Sequence, residues 1–355
     1  MRCRGPRKNF GFGSCDASMT DSAPSAPPPV PSKPARFAVS KRVFRLLGPI
    51  LLIVLIVRLP HRDRILHDIS HVAWLPLLGA MALNFLTIHL KVVRWDALLR
   101  TRGIRYPLRR LWTAFSASLY LGLFTPGRLG DVLRIHYLRR DSQVPYAEGL
   151  ATVVMDRICD LYVLSVFAAL GIVRFHSVIV GDVAYLAWSS LAASILAPLL
   201  VLVPGVAERA MRTISSRFGI SRDTKDITLF LDSLRTQARA SWGRILLLTI
   251  AAFLASSAQG WLVARAMGIH LDYDVVICLL ALATLAGLLP ITMSGIGLRE
   301  ALFLLIFPFL GYAAEQGVTF GLLVFVVIYI ALGLIGFVSW QLSPPSSRPS
   351  VSSTP

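Results

Sequence analysis

The stretch LWTAFSASLYLGLFTPGRLGDVLRIHYLRR, residues 111–140, decides how this chain is read. Its first part, Leu111 to Thr125, is apolar but short, because a bilayer core of about 30 Å asks for about 20 helical residues. Pro126 and Gly127 then interrupt it: proline removes a backbone donor, and glycine permits a tight turn. A second modest segment follows and ends on Arg139-Arg140. Such a stretch is either a weak full crossing or a hairpin that dips into a membrane and returns.

Apolar runs on either side make a membrane the setting. They fall at 43–59, 72–90, 148–173, 181–204, 245–266, 275–290, 296–310 and 317–341. Across 355 residues the chain is 55% hydrophobic and only 15% charged, against about 25% charged in ordinary soluble domains. An all-α, polytopic integral membrane protein is expected.

Charge placement chooses between crossing and hairpin, since Lys and Arg concentrate on cytoplasmic loops. Lys33, Arg36, Lys41 and Arg42 put the N-terminus inside, and Lys91, Arg94, Arg100, Arg102, Arg105, Arg109 and Arg110 read as an inside loop after the second run. Were 111–124 a full crossing, alternation would expel the arginine-rich 205–244 segment. A hairpin keeps it inside. By the same logic, 275–290 and 296–310 form a hairpin opening from the outer face. The expected architecture is a bundle of about six spanning helices plus two re-entrant hairpins, with both termini cytoplasmic. The membrane domain covers residues 43–341, between a disordered basic tail at 1–42 and a Pro/Ser-rich tail at 342–355. Translation from Met19 would leave an equally plausible tail. Segment 205–244 places apolar residues at three- and four-residue spacing among arginines, as in amphipathic helices on the inner leaflet or a solvated helical hairpin.

The net charge of +17 sits in the tail and in loops, which points to anionic lipid headgroups rather than nucleic acid. Cys3, Cys15, Cys159 and Cys278 lack paired spacing, and neither a metal nor a cofactor is expected. His67-Asp68-Ile69-Ser70-His71 has the outline of a zinc-protease motif, but with Asp for Glu and no evident third ligand.

The two interrupted segments resemble one another. One reads Phe124-Thr125-Pro126-Gly127-Arg128-Leu129-Gly130-Asp131, and the other runs from Pro290 through Gly295, Ile296, Gly297, Leu298, Arg299 and Glu300. Each has a proline, then glycines, then an acidic and a basic residue opening the next segment. Facing opposite ways, they suit an inverted repeat, and paired interruptions of this kind mark transporter binding sites. Irregular backbone at membrane depth needs a polar interior, and each helix start is a seat for an anion. Arg128, Arg134 and Arg299 could add bidentate donors. Equally, Arg128 and Arg299 could simply neutralise Asp131 and Glu300.

Run 148–173 carries Asp156, Arg157 and Asp160. Each charge at mid-membrane costs about 2.5–3.5 kcal/mol on insertion scales, so this helix must face partners. It is read as a charged cavity wall or proton relay, with a structural ion-pair network as the alternative. Asn84, His89 and Gln259 read as helix–helix hydrogen bonds.

At these residues the chain resembles the transmembrane, flippase-like region of lysylphosphatidylglycerol synthases and its stand-alone relatives. The resemblance covers roughly residues 45–340. It rests on Pro126 to Asp131, where Asp replaces the usual Glu, on Asp156-Arg157-Ile158-Cys159-Asp160, again with Asp for Glu, and on Pro290 to Glu300. It implies that the chain moves or handles a lipid of anionic, polyprenyl or hopanoid type across a bacterial cytoplasmic (inner) membrane. The substrate-binding set would be Arg128, Asp131, Arg134, Asp156, Arg157, Asp160, Arg299 and Glu300. Aminoacyl transfer is not expected, because nothing here could be the soluble synthase domain. A lipid translocase is therefore the expected function, not an enzyme; the alternatives are a membrane enzyme acting on a lipid phosphate and a non-catalytic scaffold.

Overall fold

The computed structural model describes residues 52–54, 56–57, 63–124, 130–203, 205–209, 213, 224–239, 242–288 and 295–342. The expected tails at 1–42 and 343–355, most of the first apolar run, and turn residues Pro126, Gly127 and Pro290 lie outside that set.

Among the described residues every regular element is a helix. A short α1 (Asp63–Ser70) precedes α2 (Trp74–Arg100), α3 (Leu108–Phe124), α4 (Val132–Ser142), α5 (Tyr146–Arg174) and α6 (Gly181–Leu202). Then come α7 (Thr224–Ala238), α8 (Trp242–Ala266), α9 (Tyr273–Gly287), α10 (Leu298–Ile306) and α11 (Ala314–Leu342). Helix α11 passes through a π-helical segment at Phe325–Ile330. Helices α2, α8, α11 and Gly181–Leu200 of α6 are long and apolar enough to cross a membrane. Helix α5 matches them in length at 29 residues but carries its charges in mid-run. The fold is an all-α membrane bundle.

An internal repeat organises it. Helices α2, α3, α4 and α5 contain 27, 17, 11 and 29 residues, and α8, α9, α10 and α11 contain 25, 15, 9 and 29 in the same order. The packing is reciprocal. Helices α2 and α8 lie along each other, α5 packs on α9 of the other half, and α11 packs on α3. Asn84 of α2 donates to Val327 O at 2.8 Å, and Gln259 of α8 donates to Ala80 O at 3.1 Å. These intramembrane amides therefore serve helix–helix contacts. Asn84 also takes up a carbonyl inside the π-helical segment, where the regular ladder is disturbed.

Each hairpin begins and ends at one end of the bundle. Tyr106, ahead of α3, donates its hydroxyl to the Asp141 carboxylate at the close of α4. On the opposite end, Tyr312 after α10 meets His270 ahead of α9, with Tyr312 Oη donating to His270 O at 3.0 Å. The first end also gathers the close of α2, the start of α5 and α7, through Arg102 with Glu148 at 2.8 Å and with Asp232 at 3.9 Å.

Two expectations need correction. The basic stretch from Lys91 to Arg100 is not a loop but the C-terminal part of α2. Val92, Trp95, Leu98 and Leu99 are buried there, and their packing carries the helix past its charges. The apolar face of α7 does not lie on a leaflet either. Ile227, Phe230, Leu231 and Leu234 are buried with Leu98, Ala151, Met155 and Ile158 of α2 and α5, so that face is already spent on protein.

Candidate functional site

A buried ion network joins α2, the start of α4 and α5. Arg94 Nη2 lies 2.7 Å from Asp156 Oδ1, Arg94 Nη1 pairs with Asp160, and the same nitrogen donates to Thr249 Oγ1 of α8 at 3.2 Å. Arg134 Nη2 lies 2.7 Å from Asp131 Oδ1, and its Nη1 lies 3.2 Å from Asp156 Oδ2. Arg157 reaches Asp131 at 3.2 Å, Asp156 at 3.1 Å and Asp160 at 3.4 Å. Three arginines thus meet three aspartates, with each carboxylate held by two or three guanidinium groups. The side chains of Arg94, Arg134 and Asp156 are fully buried, whereas Arg157 and Asp160 are 29% and 26% exposed. One edge of the network therefore opens outward.

The chain reaches this geometry through ordinary helix rules. Asp156 and Asp160 stand one turn apart on α5, so both face one neighbour. That neighbour is α2, which supplies Arg94. Aromatic faces add to the burial of Arg134, whose guanidinium carbon lies 4.5 Å from the Phe115 ring and 5.3 Å from Trp95. Replacing such charges one at a time leaves a partner uncompensated, which costs about 3–5 kcal/mol in a buried pair.

Sequence reading placed Asp131, Arg134, Asp156, Arg157 and Asp160 in one set, and the structure brings all five together. Arg94 is the member that the sequence does not single out, because it reads there as part of a basic loop. The available signal was the continuing helical spacing of Ile88, Val92, Trp95 and Leu99 beyond the apolar run.

Arg299 and Glu300 form a separate pair at the second hairpin. Arg299 Nε donates to Glu300 Oε1 at 3.1 Å, while Glu300 Oε2 accepts the Gly297 N–H at 2.7 Å. Neutralisation of Glu300 by its neighbour, one of the two readings offered for this arginine, is thus present. Arg128 lies outside the described residues.

Both hairpins close through glycine backbones. A Cβ on Gly130 would stand 2.1 Å from Gly122 N, so α3 and the start of α4 touch main chain to main chain. Across the second hairpin, Gly295 faces Gly287: a Cβ there would stand 3.1 Å from Gly287 Cα, and its φ is +77°. Gly297 follows at φ +87°. These positions keep glycine because no side chain fits or because an L-residue would be strained.

Reciprocal halves, glycine-closed hairpins and a buried Arg–Asp network define a repeat-built, all-α membrane protein. The chain belongs to the family described as the lysylphosphatidylglycerol synthase transmembrane region, whose profile matches residues 36–336. It is similar to the Glycosyltransferase AglD of Haloferax volcanii, 25% identical over 250 residues, covering 60% of this chain and 40% of that protein. It is also similar to the UPF0104 membrane protein MJ1595 of Methanocaldococcus jannaschii, 21% identical over 280 residues, covering 73% of this chain and 82% of that one. The chain thus spans less than half of the Haloferax protein and most of the Methanocaldococcus one.

Proposed function

We propose that this protein is a lipid translocase of the cytoplasmic membrane, passing an anionic or glycosylated headgroup through its charged interior while the acyl chains stay in the bilayer. The buried network carries the reading. Six ionised groups within a membrane bundle are costly to place, and their partly open edge at Arg157 and Asp160 gives a polar headgroup a wall to pass. The family supports lipid handling, and the glycosyltransferase name of one relative suits a sugar-bearing lipid.

In this reading both hairpins are re-entrant, and the first end of the bundle is cytoplasmic. Arg100, Arg102, Arg105, Arg139, Arg140, Arg235 and Arg239 lie toward that end, as the positive-inside preference requires. Six spans then follow, counting the first apolar run, and both termini are cytoplasmic. The two halves run in opposite senses because α6 adds a crossing between them. We propose no bond-making role for the network, since each of its carboxylates is held by two or more guanidinium groups.

The test is leaflet exchange of fluorescent phosphatidylglycerol in vesicles containing the purified protein. The expected result is exchange above that of protein-free vesicles, lost in Asp156→Asn and Arg94→Gln. Exchange equal to protein-free vesicles, with a chemically altered lipid recovered instead, would replace this reading with an enzymatic one.

A further inference from the structure

The two hairpins carry equivalent arginines with unequal partners. Gly130 meets Gly122 across the first hairpin and Gly295 meets Gly287 across the second. In each case the fourth residue after the closing glycine is an arginine, Arg134 or Arg299. Both guanidinium groups lie over aromatic rings. Those of Arg134 are Phe115 and Trp95; those of Arg299 are Phe325 at 5.3 Å and Tyr329 at 5.6 Å. The π-helical segment of α11 supplies both of the latter rings.

The anionic partners differ. In the first hairpin the residue directly after the glycine is Asp131, which holds Arg134 Nη2 at 2.7 Å, while Asp156 of α5 holds Nη1 at 3.2 Å. The corresponding residue in the second hairpin is Ile296, and α11 has no acidic side chain from Thr319 to Leu342. Glu300 serves Nε and Nη2 of Arg299. Arg134 also keeps a buried donor, Nε, without an acceptor, but both of its terminal nitrogens face carboxylates; Arg299 Nη1, a terminal nitrogen, is buried and has no acceptor among the described residues, in a residue only 4% exposed. An unmet donor on a buried charged fork is costly, and native structures keep such a group only for a reason. Its position supplies one. Glu300 links the two features: its Oε1 accepts from the Arg299 guanidinium and its Oε2 accepts from Gly297 N, at the positive end of α10.

We propose that Arg299 Nη1 and the opening turn of α10 form a seat for an external anion, standing where Asp131 stands in the first hairpin, and that the anion is the phosphate of a phospholipid headgroup. Arginine matches phosphate oxygens with two parallel donors. Val326, Ile330 and Leu334 of α11 are exposed and apolar, a surface for the acyl chains of the same molecule. The choice of lipid over free phosphate rests on the lipid-handling reading above; the seat itself does not.

The informative variant is Ile296→Asp, which supplies from within the chain the carboxylate the first hairpin has and so competes with the ligand. Thermal unfolding of the full chain in detergent would be followed with dihexanoyl-phosphatidylglycerol, inorganic phosphate and dihexanoyl-phosphatidylcholine. The wild type should be stabilised saturably by the anionic lipid and far less by the other two. Ile296→Asp and Arg299→Gln should need at least tenfold more lipid for the same shift, with Arg299→Lys between them and the wild type. Should Arg299→Gln not fold, Ile296→Asp decides alone. An unchanged response in Ile296→Asp, or no saturable shift in the wild type, overturns the seat. Stabilisation by inorganic phosphate equal to that by the lipid overturns the lipid assignment. Binding lost in Ile296→Asp from a wild type that gives no leaflet exchange in vesicles supports the seat and contradicts translocation.

Discussion

Arg94 of α2 stands between Asp156 and Asp160 of α5, paired with both, and with its Nη2 2.7 Å from Asp156 Oδ1. This one side chain ties together two helices that nothing in the sequence pattern connects. Arg94→Leu should destabilise the protein by about 3–5 kcal/mol, the usual cost of orphaning a buried ion pair. Asp156→Leu should cost a similar amount, and the double variant should cost clearly less than the sum. Denaturation of the four proteins in one detergent measures this cycle, and strict additivity would show that the two residues do not act on each other.

The glycine contact across the first hairpin admits no side chain. Gly130→Ala must displace the backbone at Gly122, 2.1 Å from the new Cβ, and should cost about 1–3 kcal/mol as overpacking. Gly243→Ala is the control: it lies in α8, and an added Cβ would meet nothing within 4 Å. Equal melting temperatures for the two variants would remove the close approach from the account.

At the π-helical segment, Asn84 Nδ2 donates to Val327 O. Asn84→Leu leaves that carbonyl without its partner and should cost about 1 kcal/mol, in the range measured for interhelical hydrogen bonds in membranes. Gln259→Leu, which loses the bond to Ala80 O, should cost about the same. Chemical unfolding of both variants provides the comparison.

The mouth of the first hairpin should weaken in acid. Burial, then its hydrogen bond to Asp141, raises the Tyr106 phenol above the usual tyrosine range. Burial also works to raise the Asp141 carboxyl, but hydrogen bonds from Arg140 and Tyr106 outweigh it and hold the group below the usual carboxylate range. A folded value below the unfolded one means that the contribution is complete above the unfolded value, about 3.9, and is lost as pH falls through the folded one. Asp141→Asn should therefore lower the melting temperature at pH 7, and the gap to the wild type should narrow below pH of about 4. A gap that stays constant with pH would rule out this linkage.

Much of the architecture was legible because hydropathy and proline–glycine interruptions report directly on membrane helices. The short apolar segments flanking each interruption, and the set Asp131, Arg134, Asp156, Arg157 and Asp160, were visible through such signals and through charges placed in mid-run. Arg94 escaped because a basic residue beyond an apolar run looks like a cytoplasmic loop, and only a partner on another helix reveals that it is buried. The apolar spacing of α7 was equally visible, but spacing alone does not say whether lipid or protein covers the face. The inequality of Arg134 and Arg299 needed the structure as well, since it depends on which carboxylates reach each fork.

Hairpins that enter and leave by one face, with the two faces opposite, underlie the whole scheme. Single cysteines at Arg105→Cys, Gln143→Cys, Asp272→Cys and Ala313→Cys, in a background without the native cysteines, would be labelled from either side of sealed vesicles with a membrane-impermeant maleimide. Positions 105 and 143 should react from one side and positions 272 and 313 from the other. Labelling of 105 and 143 from opposite sides would make the first segment an ordinary crossing and contradict the account.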